Sequence, residues 1–64
     1  MIKFDFRVQR CFPESLARAW GQLITQFEAE NPRAQISAIQ HQTMPIGESL
    51  HPEILLSLVI TYEA

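Results

Sequence analysis

The sequence predicts an α+β fold built from a single βαββ unit, with one helix packed on one face of a three-stranded sheet. Residues 53–63 form the most apolar run of the chain, are rich in β-branched residues and contain no Gly or Pro, which indicates a strand. Residues 2–10 alternate between apolar and polar side chains, which indicates a second strand. Between these two segments, apolar residues recur at the spacing of an amphipathic helix.

The first predicted strand, residues 2–10, has one face suited to burial and one suited to water. Its apolar side chains are Ile2, Phe4, Phe6 and Val8. The intervening side chains are Lys3, Asp5, Arg7 and Gln9. Because a shift of one residue would expose the whole apolar set, the alternation predicts a well-defined strand register.

The helix is predicted to begin at Pro13 and to run to about Glu30. Proline suits the first helical position, because its missing N–H would have no partner there. Asn31 and Pro32 end the helix, since the residue before a proline is disfavoured in the α conformation. The apolar stripe of this helix consists of Leu16, Ala19, Trp20, Leu23, Ile24 and Phe27.

A further strand is predicted within residues 33–43. Ile36 and Ile39 are three positions apart, so the alternation breaks near Ala38, which indicates either a bulge or a weakly facing edge strand. Residues 44–52 contain two prolines and one glycine, which predicts a loop.

The order of these elements predicts the topology of the sheet. A right-handed crossover makes the first two strands parallel, and the last strand, the most apolar, lies between them in the order 2-3-1. The helix is expected to cover Phe4, Phe6 and the even-numbered apolar residues of the last strand. We expect either that the opposite face, with Leu55, Val59 and Ile39, is an interface with a second copy of the chain, or that the extended strand edges of two copies pair.

Size and composition also favour self-association. A 64-residue domain is marginal alone, and small domains are commonly stabilised by disulfides, a metal or oligomerisation. The single Cys11 allows no intrachain disulfide, and the histidines match no metal-ligand spacing. A net charge of −2 favours neither nucleic acid nor an anionic membrane as a partner. The free thiol and the absence of an apolar leader or membrane-length run predict a cytoplasmic protein.

No catalytic constellation, phosphate-binding glycine loop, metal set or cofactor motif is present in the sequence, so we expect a protein that is not an enzyme. Two residues are candidates for binding a small ligand. Arg7 could contact a carboxylate or phosphate, and His41 could line a pocket on the open face of the sheet. Cys11 is more simply explained as a small, partly buried residue where the first strand meets the helix.

The run Ile-Ser-Ala-Ile-Gln-His-Gln-Thr at residues 36–43 and the run Leu-Ser-Leu-Val-Ile-Thr-Tyr-Glu at residues 56–63 resemble a family of very short proteins from Gram-positive bacteria and their phages. Members are often labelled as a sporulation protein. The topology also resembles that of dodecins, small flavin-storing homo-oligomers, although residues 32–36 lack the tryptophan that stacks on their flavin. Tautomerases, which need an N-terminal proline, are excluded because residue 2 is Ile.

These observations lead to two expectations for function. The first is a small accessory or regulatory protein, encoded by a bacterium or a phage, that acts by self-association and protein binding. The second is a homo-oligomer that binds or sequesters a nucleotide or flavin.

Overall fold

Three antiparallel strands and one helix make up the chain, as seen in a computed structural model that describes residues 1–64. Strand β1 spans Ile2–Cys11, helix α1 spans Leu16–Glu30, strand β2 spans Gln35–Glu48 and strand β3 spans His51–Glu63. A turn of 3-10 helix at Pro13–Ser15 leads into α1. The sheet order is β1-β3-β2, with β3 antiparallel to both neighbours. The predicted fold class and strand order are confirmed, as is the packing of the helix on one face of the sheet.

The ends of the helix follow local backbone chemistry. At the start, the Ser15 N–H donates to the Phe12 carbonyl at 2.9 Å, and Pro13 needs no partner for a missing N–H. At the end, the backbone N–H and the side-chain amide of Asn31 both donate to the Phe27 carbonyl, at 2.9 and 3.1 Å. Asn31 thus satisfies a terminal carbonyl that would otherwise lack a partner, which fixes the predicted end of α1.

The core lies between α1 and the even-numbered side chains of β3. Leu56, Leu58 and Ile60 are fully buried under the helix. The rings of Phe27 and Tyr62 meet edge to face, with centroids 4.9 Å apart. The buried helical residues belong to the predicted stripe: Ala19, Leu23 and Phe27. Trp20, also in that stripe, is only half-buried, at the margin of the helix–sheet contact.

Strand β1 faces the opposite way from the sequence-based expectation. Phe4 pairs with Thr61 and Phe6 with Val59, so both rings project from the side of the sheet away from α1, where they are 71% and 67% exposed. The prediction that the helix covers Phe4 and Phe6 is therefore wrong. Alternation gives the period of a strand but not which side the helix will occupy. The helix lies instead over β3 and the odd-numbered side of β1, where Arg7 bonds Glu30, and the core beneath it also includes Ile36 and Ile39 of β2.

The β2–β3 hairpin is longer and more regular than expected. Pairing continues to Glu48 and His51, so the predicted loop at residues 44–52 is wrong, and only Ser49 and Leu50 form the turn. Pro45 is tolerated because β2 is an edge strand, whose outer side needs no N–H donor. The predicted irregularity is present, since the register shifts between Ile36 and Ala38. The Ser37 hydroxyl in this bulge donates to the Thr61 carbonyl at 3.1 Å.

The molecule is elongated and exposes much of its surface. Its dimensions are 45 × 17 × 13 Å, and only seven of the 64 residues are buried. Its accessible surface is 4805 Å². A compact monomer of 7.4 kDa would expose about 4,200 Å² on the usual size scaling, so this chain exposes roughly 600 Å² more. The single helix is too short to cross a membrane.

Candidate functional site

The face of the sheet that lies away from α1, called the open face below, is the most distinctive surface of the molecule. Its side chains come from the even positions of β1 and the odd positions of β3, because partners in an antiparallel pair project to the same side. Phe6 lies directly opposite Val59, and Arg10 lies opposite Leu55. The apolar residues of the open face are Ile2, Phe4, Phe6, Val8, Ala38, Met44, Ile46, Leu55 and Val59.

The apolar side chains of the open face are more exposed to solvent than apolar side chains usually are. Ile2 is 60% exposed and Val8 is 46% exposed, and the two phenylalanines exceed both values. Leu55 and Val59 are half-buried, because side chains of the neighbouring strands flank them in the middle of the sheet. Contiguous exposed apolar patches of this kind are uncommon on monomeric proteins.

Charge is confined to the two ends of the open face. At one end Arg10 Nη2 donates to Glu53 Oε2 at 3.1 Å, and at the other end lies Glu63. Between these ends, the residues of β3 are uncharged. Covering the middle of this face therefore removes no unpaired charge from water, which would otherwise be costly.

The β2 side of the open face is polar but neutral. Gln40 lies opposite Val59 and Gln42 lies opposite Ser57. Together with Phe6 they line a shallow groove of about 360 Å³ along the sheet. The groove thus offers amide donors and acceptors beside an aromatic ring, a combination suited to contact with another protein surface.

The sequence analysis placed Ile39 on the open face with Leu55 and Val59, and this is wrong for Ile39. Ile39 pairs with Ile60 and packs against the buried residues under the helix. The register shift at Ser37 accounts for this position, because Ala38 and not Ser37 lies opposite Thr61. The bulge therefore returns Ile36 and Ile39 to the same side despite their odd spacing.

Arg7, a predicted ligand contact, lies on the helix side and is held by two carboxylates. Its Nε donates to Asp5 Oδ1 at 2.8 Å, and its Nη2 donates to Glu30 Oε1 at 2.8 Å. The guanidinium carbon is 5.6 Å from the centre of the Phe27 ring, and the side chain is 13% exposed. The observed role of Arg7 is to tie β1 to the last turn of α1.

This ion-pair cluster shifts the protonation of its members. Hydrogen bonds to Glu30 and then to Asp5 raise the pKa of Arg7 above its ordinary range. The hydrogen bond from Arg7, together with its positive charge, lowers the pKa of the Glu30 carboxyl below its ordinary value. Both groups are therefore charged at neutral pH.

His41, the other predicted ligand contact, is among the residues that line the open-face groove, but its ring lies on the helix side of the sheet. It pairs with Leu58, and its ring meets Trp20 edge to face with centroids 4.7 Å apart. Trp20 and His41 line an open cleft of about 360 Å³ at the side of the helix. The remaining lining residues are Leu16, Ala17 and Leu56.

The structure does not bring Arg7 and His41 together. Both lie opposite Leu58, one on each outer strand, so two strand spacings of about 4.8 Å each and the buried leucine separate their backbones. Cys11 is half-buried and packs against the core beside the helix. This position agrees with the expectation of a small, partly buried residue where the first strand meets the helix. No three side chains of His, Cys, Asp or Glu are grouped as metal ligands.

The phenylalanines of β1 are members of the open face that the sequence pattern did not identify. Their alternation was recognised, but nothing within residues 2–10 tells on which side the helix lies. The chain matches no protein-family model, no curated protein and no solved structure.

Proposed function

We propose that this chain is a non-enzymatic interaction protein that works as an assembly of identical copies, in which the open face of one copy is covered by the open face of another. The observation that carries the proposal is the row of exposed apolar side chains centred on Phe6 and Val59. An accessory or regulatory role in a bacterium or its phage is supported by the resemblance of residues 36–43 and 56–63. A cytoplasmic location fits the free thiol of Cys11.

The exposed area supports a second copy as the occupant. The excess of roughly 600 Å² over a compact monomer, if buried on each of two copies, amounts to about 1,200 Å² in total. That total lies at the lower end of the range for stable protein interfaces. Two sheets packed face to face at about 10 Å would interleave the phenylalanine rings of both copies.

The distribution of charge also supports this occupant. A two-fold contact places each patch against itself, so like charges at its centre would repel. The open face carries its charges only at the ends, and one of these, Arg10, is already paired with Glu53. An apolar patch with neutral amides on one side is compatible with its own copy.

Charge insertion in the central strand tests the proposal. Leu55→Glu combined with Val59→Glu places two carboxylates in the middle of the contact, where they would be buried without partners. Gln22→Glu combined with Gln26→Glu is the matched control, because it adds the same charge on the exposed side of α1. We expect the wild type and the control to sediment above 7.4 kDa at micromolar concentration, and the Leu55/Val59 variant to have a lower mass.

Two results would contradict the proposal: a wild-type chain that sediments only as a monomer, or a Leu55/Val59 variant that keeps both its circular dichroism and the wild-type mass. If the double variant does not fold, Phe4→Ser tests the proposal instead. The side chain of Phe4 is 71% exposed, so the fold of the subunit should not depend on it. Burying a phenylalanine contributes about 1.5–3 kcal/mol and the contact buries one from each copy, so Phe4→Ser should weaken association roughly 100- to 10,000-fold.

A second candidate function rests on the cleft beside Trp20 and His41. Its volume of about 360 Å³ and its indole wall suit a planar ligand such as a nucleotide base or a flavin ring. Mass spectrometry of the intact assembly would reveal either ligand, and visible absorbance of the purified protein would reveal a flavin. Trp20→Leu should release it while leaving the assembly mass unchanged, because Trp20 lies on the other side of the sheet from the open face.

A further inference from the structure

The two edges of the sheet differ in how they are protected against pairing with another strand. Strand β2 carries the bulge at Ser37, Pro45 within the strand and Gly47 at a φ of 83°. These features disturb the regular row of donors and acceptors that a further strand would need. Strand β1 has none of them, since Ile2–Cys11 contains no Pro, no Gly and no register shift. Its outer row of backbone groups is available.

We infer that β1 of one copy pairs antiparallel with β1 of a second copy, in the register that places Phe6 opposite Phe6 of the partner, so that two sheets join into one of six strands. A two-fold axis through this point pairs residues 2–10 of each strand with residues 10–2 of the other. This contact uses the edge of β1 and is independent of the open-face contact proposed above.

Charge complementarity and the length of the paired edge together favour this register, because registers centred on Phe4 or Val8, which set no like charges opposite each other, pair fewer residues of β1. With Phe6 opposite its own copy, Asp5 lies opposite the partner's Arg7, and Arg7 lies opposite the partner's Asp5. A register centred on Arg7 would place two arginines opposite each other, and one centred on Asp5 would place two aspartates opposite each other. Both alternatives set like charges directly across the edge, which is destabilising.

The other cross-strand pairs of this register are also compatible. Phe4 lies opposite Val8 on the open face, and Lys3 lies opposite Gln9 on the helix side. Both helices then lie on one side of the joined sheet, and the two apolar rows of β1 lie side by side on the other. The Arg7 guanidinium has five donors and already bonds Asp5 and Glu30 within its own chain, so an Asp5 from the partner extends an existing cluster.

Cysteine cross-linking tests both the contact and its register. In a Cys11→Ser background, Lys3→Cys and Gln9→Cys are made in separate chains, which are mixed and mildly oxidised. Residues directly opposite each other in an antiparallel pair have Cβ atoms about 4.5–5.5 Å apart, close to the distance that a disulfide bridges. We expect the disulfide-linked heterodimer to be the main product. Lys3→Cys alone is the control, because its two copies would be about 20 Å apart along the strands.

The Lys3 and Gln9 side chains project to the helix side, so face-to-face packing of the open faces cannot bring them together. Cross-linking should therefore persist when Leu55→Glu and Val59→Glu are added, even if the open-face contact is lost. A yield from the mixture no higher than from Lys3→Cys alone would overturn the inference. So would preferential linkage of Lys3→Cys to Arg7→Cys, which reports the register centred on Asp5.

Discussion

Arg7 joins the first strand to the last helical turn, with its Nη2 atom 2.8 Å from Oε1 of Glu30. This bond predicts a pH dependence of stability. The pKa of Glu30 is lowered in the folded chain, so its ionisation stabilises the fold above the unfolded pKa, about 4.3, and this contribution is lost as the pH falls through the lower folded value.

We therefore expect Glu30→Gln to lower the free energy of unfolding at pH 7, and the difference from wild type to vanish at the acid end of a urea-melt series between pH 7 and pH 2. Glu28→Gln is the control, because Glu28 is exposed on the same helix and forms no ion pair. A Glu30→Gln chain as stable as wild type at pH 7 would show that the bond contributes nothing to folding.

Leu58 is the residue whose truncation should cost most. It is fully buried in the middle of the central strand, so Leu58→Ala should destabilise the chain by about 2–5 kcal/mol, comparable to the whole stability of a small domain. Leu50→Ala, at the hairpin turn where the side chain is 84% exposed, should change the melting temperature little. Equal effects in thermal unfolding would contradict the described core.

The two glycines should respond oppositely to alanine. Gly47 has a φ of 83°, and an added Cβ would lie 2.8 Å from the His51 carbonyl oxygen, so Gly47→Ala should destabilise the hairpin by about 1–2 kcal/mol. Gly21 has nothing within 4 Å of that position and lies in the helix, where alanine is favoured by up to about 1 kcal/mol. Chemical denaturation of both variants measures whether each substitution raises or lowers the free energy of unfolding. A stabilising Gly47→Ala would refute the turn geometry.

Trp20 lies at the margin of the core, so Trp20→Ala should cost about 2 kcal/mol, less than the 3–5 kcal/mol of a fully buried tryptophan. Trp20→Phe should recover part of this loss by keeping an aromatic ring near His41. Urea-melt midpoints for both variants provide the measurement. A cost for Trp20→Ala as large as that for Leu58→Ala would mean that the indole is more buried than described.

The sequence was sufficient for the order of elements, because each apolar pattern has the period of its element and Pro13 and Asn31 bound the helix chemically. It was insufficient for the orientation of β1. The alternation around Phe4 and Phe6 is equally compatible with either side, and the position of the helix depends on packing between distant segments. The hairpin was missed because Pro45 and Gly47 usually interrupt strands, whereas an edge strand and a positive φ accommodate them here.

The candidate site was partly predictable for the same reason. Leu55 and Val59 were placed correctly from the two apolar faces of the last strand. Ile39 was misplaced because one extra residue at Ser37 reverses the facing of everything beyond it, and the three-residue spacing of Ile36 and Ile39 is compatible with either a bulge or a weakly facing edge strand.

The central position of β3 also has a consequence for the order in which the chain can fold. Glu48 pairs with His51, so the β2–β3 hairpin can close from its own turn with a small loss of chain entropy. Ile2 pairs with Glu63, so β1 joins only after almost the entire length of the chain has been brought into a closed loop. Such non-local pairing slows folding, which makes docking of β1 the expected rate-limiting event and leaves one edge of β3 unsatisfied until it occurs.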